Sequence, residues 1–488
     1  MLCEQRNISM LMDLYEMTMA NEYFMDDLDS ESKVTFDIFY RKNPDNGGFA
    51  VFAGLEQIID YIENLHFTAE NIQYLRNLHL FSERFLDYLQ NYRFKGDIDA
   101  LPEGTIMFPN EPIITVTASL LDAQLIETAL LTQINHQSLI ATKAARIVRA
   151  AKGRKVFDFG ARRAHNIDSA LYGARAAFIG GIDGTATVLA GEKFGIPVSG
   201  TMAHSWVMYY EDEYTAFRKY AEIYPDAAVL LVDTYDVLKS GIPNAIRAAK
   251  EVLEPMGRRL KGVRLDSGDL AYLSKKVRFL LDEAGLDDCQ IIVSNSLDEN
   301  TISSILQQGG YIDAFGVGER LITAKSDPVF GAVYKISAVE KAGKCVPRIK
   351  LSETIEKITN PGRKKIYRVY DAEGHAVADL LTRAEENPDY KSPFRYEDPQ
   401  KPWKEMYFAG CTFKELQIPI IRNGKSVYEQ PNLKSIQEFV KRQLASEIWQ
   451  EEQRFENPHC HFLDMSPAYY ELKKKMLTES RKKDVGNA

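Results

Sequence analysis

The side chains best suited to chemistry come just after apolar runs. His204 stands in GTMAHSW, after the run 196–199 and among small residues. An imidazole there can act as acid–base, metal ligand or nucleophile. No second histidine is close in sequence, which makes a metal site the weakest of the three. The hydroxyls of Thr201 and Ser205 flank it and can bind phosphoryl oxygens or cap a helix. Arg162 and Arg163 follow the run 155–159 and Gly160. Adjacent arginines past a buried strand suit a carboxylate or phosphate, unless they are a solvated helix start paired with Asp158 or Asp168. Arg264, Asp266, Ser267, Gly268 and Asp269 form a dense cluster. An acid beside a hydroxyl and a glycine suits a sugar hydroxyl, a metal-bound diphosphate or a plain helix cap. Gly316-Val317-Gly318 follows another apolar run, where backbone N–H groups can hold a phosphate. Together these residues describe a site for an anionic, phosphorylated ligand with one candidate nucleophile.

The elements that must position them repeat. Apolar β runs occur at 155–159, 196–199, 228–233, 261–266, 290–294 and 312–316, with helical stretches between them. Their C-terminal ends carry Arg162/Arg163, His204, Asp233/Thr234, Asp266/Ser267, Ser294/Asn295 and Gly316/Gly318. Polar residues at one end of every strand predict a parallel βα barrel with its site at that end. The alternative, an open doubly wound sheet, would gather them at one switch point.

Outside this rhythm the pattern changes. Residues 9–25 predict a helix capped by Ser9 with a stripe of Leu11, Leu14, Tyr15, Thr18 and Met19. VTFDIFY at 34–40 alternates like a half-buried strand, and FAVFAGLEQIIDYIENL reads as a strand entering an amphipathic helix. More helix is expected over 69–92 and over 120–151, with Lys143 and Arg146 on an alanine-rich face, and antiparallel strands over 94–117. After residue 330 antiparallel hairpins with DAEG and RNGK turns are expected, then two amphipathic helices over 431–455 and 464–480 and a frayed tail. The domain reading is 1–140, 141–340 and 341–488, the first and last parts forming one α+β domain around a central catalytic one.

Composition bounds the rest. The 488 residues, 45% hydrophobic and 26% charged, suit two or three soluble domains. A net charge of −9 argues against a general nucleic-acid surface. Five cysteines without CxxC spacing argue against a disulfide framework or a zinc site. No apolar run approaches membrane-spanning length and the N-terminus lacks a signal-peptide core, so the chain reads as cytoplasmic.

At these same residues the chain resembles the nicotinate phosphoribosyltransferase family. The resemblance runs through LMDLYEMTMA, FDIFYRKNP…GGFAVFAGLE, FDFGARRAHN, GIDGTATVLAGEKFGIPVSGTMAHSW, GVRLDSGDL, VSNSLDE and FGVGERLIT, nearly the whole chain and in order. It implies phosphoribosyl transfer from phosphoribosyl pyrophosphate to nicotinate, yielding nicotinate mononucleotide and pyrophosphate in NAD salvage, with coupled ATP hydrolysis and a need for Mg2+. It implies that His204 is phosphorylated by ATP, that Tyr15 and Phe159 contact the pyridine ring, and that Thr201 and Arg264 meet nicotinate. It implies that Arg162, Asp266, Ser267, Gly268, Gly316 and Gly318 lie on the phosphoribosyl and phosphate side. The implied fold is the irregular α/β barrel of type II phosphoribosyltransferases plus a sandwich domain from both chain ends. The implied assembly is a homodimer with the active site at the interface, where Tyr15 acts on the neighbouring subunit. One departure stands out: Glu319 and Arg320 follow Gly318 where Gly-X-Gly-Thr is expected. Rival readings are the same fold acting on nicotinamide or quinolinate, with Asp183 as a reader of an amide, and a non-catalytic metabolite-binding descendant.

Overall fold

The structure, a computed structural model, describes residues 6–27, 33–341, 343–354, 357–386, 394–398 and 401–485, with side chains 394–406 and 480–485 outside that description. The chain divides into one unit of residues 1–139 and 329–488 and another of 140–328. The division falls after Pro328 because strand Val333–Lys341 pairs antiparallel with Lys33–Phe39 in the first unit.

Unit 140–328 holds six parallel strands in the order Gly184–Thr185, Lys155–Asp158, Ala314–Val317, Gln290–Ser294, Gly262–Leu265 and Val229–Leu231. One face of these strands is fully buried, and Phe157, Arg264 and Ile292 on the other are part-buried. The expected strand over 196–199 does not form: Val198 makes a single parallel bridge to Thr185. Pro197 lacks a donor for a longer ladder, and the neighbour it would pair with, Gly184–Thr185, is a two-residue strand too short to read in the sequence. Helices Ile167–Ile179, Glu213–Ile223, Leu270–Glu283 and Glu299–Gln307 connect the strands, capped by Asn166, Asp212, Asp269 and Asp298. A buried cluster joins Lys143 and Arg146 to Glu299, with nitrogen–oxygen distances of 2.8 Å. The two cations therefore sit on the alanine-rich face as structural residues.

Unit 1–139 and 329–488 contains a seven-stranded antiparallel sheet drawing strands from both ends of the chain, in which Lys33–Phe39 lies between Val333–Lys341 and Ile114–Ser119. That central place buries both faces of Lys33–Phe39 after its first residue, so the expected half-buried alternation is absent. A second, six-stranded sheet is antiparallel except where Ala376–Arg383 runs parallel to Leu463–Met465. The expected helix over 69–92 is broken into Ala69–Asn77 and Glu83–Gln90, each with its own serine or threonine cap. The first helix begins at Leu14, not at Ser9. Asp13 is its cap, its N–H donating to Glu16 Oε1 at 3.1 Å, while Ser9 Oγ accepts the His66 N–H at 3.0 Å. The stripe read as the core face is reversed: Glu16, Met17 and Ala20 are buried, whereas Leu11, Leu14, Tyr15 and Met19 are exposed. The C-terminal helix Pro467–Val485 runs past the expected end at 480; the last three residues of the expected frayed tail lie outside the described residues, as does Cys3.

No helix among the described residues is long and apolar enough to cross a membrane.

Candidate active site

The parallel ladder sets the site. Its register pairs Ser294 with Gly316 and Val317 with Asp158, so the residues that follow each strand meet at the C-terminal edge. Arg264, the third residue of strand Gly262–Leu265, is the hub. Its guanidinium donates to Ser294 Oγ at 2.9 Å, to Thr201 Oγ1 at 3.1 Å and to Asp266 Oδ1 at 3.0 Å. It also lies 5.1 Å from the centre of the Phe159 ring. Ser294 donates a further short hydrogen bond to Asp266.

His204 opens helix His204–Tyr209 and is part-exposed. Its Nδ1 lies 3.1 Å from Thr234 Oγ1, and its Nε2 lies 3.8 Å from Asp266 Oδ2. A proton held at Nδ1 toward Thr234 leaves the Nε2 lone pair free for an electrophile, an arrangement that suits a nucleophile. Asp233 closes this corner: its Oδ2 accepts the Asp266 N–H at 3.0 Å and the Ser267 hydroxyl at 2.6 Å. Its Oδ1 is buried and has no hydrogen-bond partner among the described residues. Gly268 has φ +81°, the left-handed conformation that lets the chain turn from Ser267 into Asp269. Asp269 is a helix cap, accepting the Tyr272 N–H at 3.0 Å.

Phe159 and the arginines are set by Asp158. This fully buried carboxylate accepts the Gly160 N–H at 2.7 Å and the Thr185 hydroxyl at 2.8 Å. Burial pushes its pKa above the usual carboxylate range, and those two donors pull it partly back. Both oxygens are thus committed to the turn, so Asp158 is not the partner of Arg162 or Arg163, which project from the turn Ala161–Arg163 as exposed residues. Arg162 makes no ion pair among the described residues, and no hydrogen bond among them joins it to the Arg264 hub.

The glycine pair does something the sequence reading missed. A Cβ on Gly316 would sit 2.4 Å from Phe159 Cε2, so a glycine there makes room for the ring. A Cβ on Gly318 would meet the Phe159 carbonyl oxygen at 3.2 Å. Glu319, the unexpected acid, pairs with Lys325 at 2.6 Å, which holds its carboxyl below the usual range. Arg163, His165, Glu319, Thr323, Lys325 and Pro328 line a recess of about 370 Å³.

Tyr15 belongs to the other unit. It is exposed on helix Leu14–Met25, with burial of its hydroxyl and the nearby Glu127 carboxylate both raising its pKa. Asp183, considered as a reader of an amide, accepts the Val156 N–H at 2.9 Å near the start of strand Lys155–Asp158, the end opposite the site. Asp158, Asp233, Thr234 and Ser294 join the site although the sequence reading did not count them among its binding residues. Their signal was position, since each stands at or just past a strand's C-terminal end. A second signal is visible in the backbone: Asn295 and Ser296 both have positive φ directly after strand Gln290–Ser294.

A parallel α/β sheet that gathers an arginine hub, a part-exposed histidine and paired aspartates at its C-terminal edge defines an enzyme site for small anionic substrates. The comparisons with known proteins narrow this. Models of the nicotinate phosphoribosyltransferase N-terminal domain, family and C-terminal domain match residues 10–135, 154–373 and 363–473. A nicotinate phosphoribosyltransferase of Bacillus subtilis is 45% identical over 94% of this chain and 93% of its own. One of Caenorhabditis elegans is 33% identical over 95% and 92%. The crystal structure of human nicotinic acid phosphoribosyltransferase superposes with a TM-score of 0.85 at 28% identity, covering 95% of this chain and 99% of that one. The chain belongs to the nicotinate phosphoribosyltransferase family, a family of phosphoribosyl-transferring enzymes.

Proposed function

We propose that this protein joins nicotinate to the phosphoribosyl group of phosphoribosyl pyrophosphate, forming nicotinate mononucleotide and releasing pyrophosphate, in salvage of NAD. Family membership over nearly the full chain supports the reaction class. The observation that carries the choice of substrate is the Arg264 hub: a part-buried guanidinium beside the Thr201 hydroxyl and over the Phe159 ring suits a flat aromatic carboxylate. Asp183, the acid considered as a reader of the amide of nicotinamide, is committed at the opposite end of the sheet.

In this reading the ring nitrogen of nicotinate attacks C1 of the ribosyl group as the bond from C1 to the pyrophosphate oxygen breaks. The nitrogen carries its own lone pair, so the protein's work is positioning and charge stabilisation. Phe159 and Arg264 orient the ring, Tyr15 contributes from a neighbouring copy in a homodimer, and Asp266, Ser267 and the turns at Gly268, Gly316 and Gly318 hold the phosphoribosyl group. Arg162, with the cations at the 370 Å³ recess, attracts phosphate oxygens. A carboxylate beside a phosphate is unfavourable unless its charge is met, and Lys325 meets that of Glu319.

The residues present fit a divalent cation. Asp233 Oδ1 is a buried carboxylate oxygen lacking a partner, next to Asp266. Asp233 and Asp266 would hold Mg2+, which supplies neutralising charge to a diphosphate when bound. His204 Nε2 would take the γ-phosphoryl group of ATP, forming a P–N bond as the bond to ADP breaks, with Thr234 holding the other ring nitrogen. The fold reading is that the six-stranded parallel sheet is the wall of an irregular barrel, and that the two sheets of the other unit make a sandwich domain.

The test is product formation. Purified protein incubated with phosphoribosyl pyrophosphate, Mg2+ and ATP should convert nicotinate to its mononucleotide. It should leave nicotinamide and quinolinate unchanged. Turnover of either rival in preference to nicotinate refutes the substrate; no pyrophosphate release with any of the three supports the non-catalytic alternative.

A further inference from the structure

Strands Lys364–Tyr370 and Ala376–Arg383 are joined by the hairpin Asp371-Ala372-Glu373-Gly374-His375. Asp371 Oδ1 accepts the N–H groups of Glu373 at 2.9 Å and His375 at 2.8 Å. The Asp371 N–H in turn donates to the His375 carbonyl at 3.0 Å. These bonds fix the carboxylate, and its other oxygen, Oδ2, lies 3.5 Å from His375 Nδ1. Glu373 Oε2 lies 3.7 Å from the same nitrogen. That Nδ1 is shielded from solvent and makes no hydrogen bond. The imidazole stacks on Trp449, ring centres 4.2 Å apart and planes inclined by 26°, which holds its orientation. One donor atom from each of the three residues lies within 4.8 Å of the others.

A simple ion pair would have closed to a charge-assisted hydrogen bond of about 2.8 Å. Here both carboxylates stand off from a nitrogen that has no hydrogen-bond partner among the described residues. Donors bound at about 2.0–2.2 Å around a tetrahedral ion are roughly 3.3–3.5 Å apart, so the two nitrogen–oxygen distances need little contraction, while the third donor pair, the two carboxylate oxygens, lies within 4.8 Å. We propose that Asp371, Glu373 and His375 bind a divalent transition-metal ion, with zinc the best match. One imidazole and two carboxylates favour such an ion over Mg2+, which prefers an all-oxygen shell. The three donors leave the remaining coordination to water. The site lies on a different unit from the Arg264 hub and needs nothing from the proposed transfer reaction.

The experiment is calorimetric titration of the full-length protein with Zn2+ in excess Mg2+, comparing wild type with His375→Gln and Glu373→Gln. Glu373 is highly exposed, so its substitution spares the fold. Wild type should bind one equivalent of zinc that both variants weaken by at least about tenfold. A parallel titration with Co2+ should quench the tryptophan emission contributed by Trp449 in wild type and leave His375→Gln unquenched. Transfer activity should be the same in all three proteins. Absence of saturable binding to wild type, or the same zinc isotherm and the same cobalt quenching in His375→Gln, overturns the proposal.

Discussion

Replacing Arg264 by alanine tests the site at its hub. The guanidinium is 14% exposed and makes hydrogen bonds to Ser294, Thr201 and Asp266, so solvent screens it weakly. Truncating one partner of a buried charged hydrogen bond costs about 2–5 kcal/mol. At about 1.4 kcal/mol per factor of ten, this weakens nicotinate binding by roughly 30-fold to several thousandfold. The fold should survive. The variant loses a cation–π contact of about 0.5–2 kcal/mol with Phe159, while the 31% exposed Asp266 side chain can turn to water. Arg264→Lys should recover only part of the loss. It keeps the charge, but one ammonium cannot reach Thr201, Ser294 and a carboxylate with the geometry of the planar fork. The assay is initial velocity with each substrate varied in turn, alongside a thermal melt. The expected result is a large rise in KM for nicotinate with a near-native melt. Unchanged Michaelis constants for both substrates would refute the assignment, and so would a loss that appears only together with unfolding.

His204→Asn should abolish labelling by γ-phosphate and all acceleration by ATP while keeping slow transfer; label on the variant, or acceleration by ATP, counts against His204 as the acceptor. Gly316→Ala should cut kcat/KM by at least about tenfold, since its Cβ would collide with Phe159 at 2.4 Å, and a smaller side chain at 159 should restore part of the loss; a fully active Gly316→Ala removes that contact from the argument. Glu299→Gln should destabilise by about 3–5 kcal/mol in urea unfolding, because the buried Lys143 and Arg146 both lose a charged carboxylate partner; an unchanged midpoint would show that the cluster contributes little. Burial pushes the Cys289 thiol up to about 12. The unfolded thiol ionises first, so the native state holds the extra proton, and this group's stabilisation is complete below the unfolded pKa and lost as pH rises toward 12. Between pH 9 and pH 11 Cys289→Ala should therefore lose stability less steeply than wild type, by about 1.4 kcal/mol per pH unit at most, and parallel slopes would refute it.

The sequence alone carried the chemistry and the order of the elements. Apolar runs followed by Arg162, His204, Asp266 and Gly316 are local patterns, and the side-chain period and turn residues that reveal them act within a few positions of chain. The long ordered motifs from LMDLYEMTMA to FGVGERLIT likewise needed no structure to suggest a family. Tertiary structure decided what local patterns do not encode. The stripe of Leu11, Leu14, Tyr15 and Met19 has a helical period whichever face is buried; Glu16 accepting the Thr128 hydroxyl, with Met17 and Ala20 beside it, chose the other face. The run 196–199 has the composition of a strand, but a strand exists only where a neighbour supplies a ladder, and its neighbour, Gly184–Thr185, is two residues long and gives it a single bridge. Gly316 reads in the sequence as a turn that can hold a phosphate; that Phe159, far away in sequence, also needs its missing side chain is visible only in the fold. Arg264 meets Thr201 across 63 positions and Ser294 across 30 because parallel register aligns strand ends that the chain visits one after another. Which side chains share a hydrogen bond at that edge is fixed by the register, and register is a property of the folded sheet.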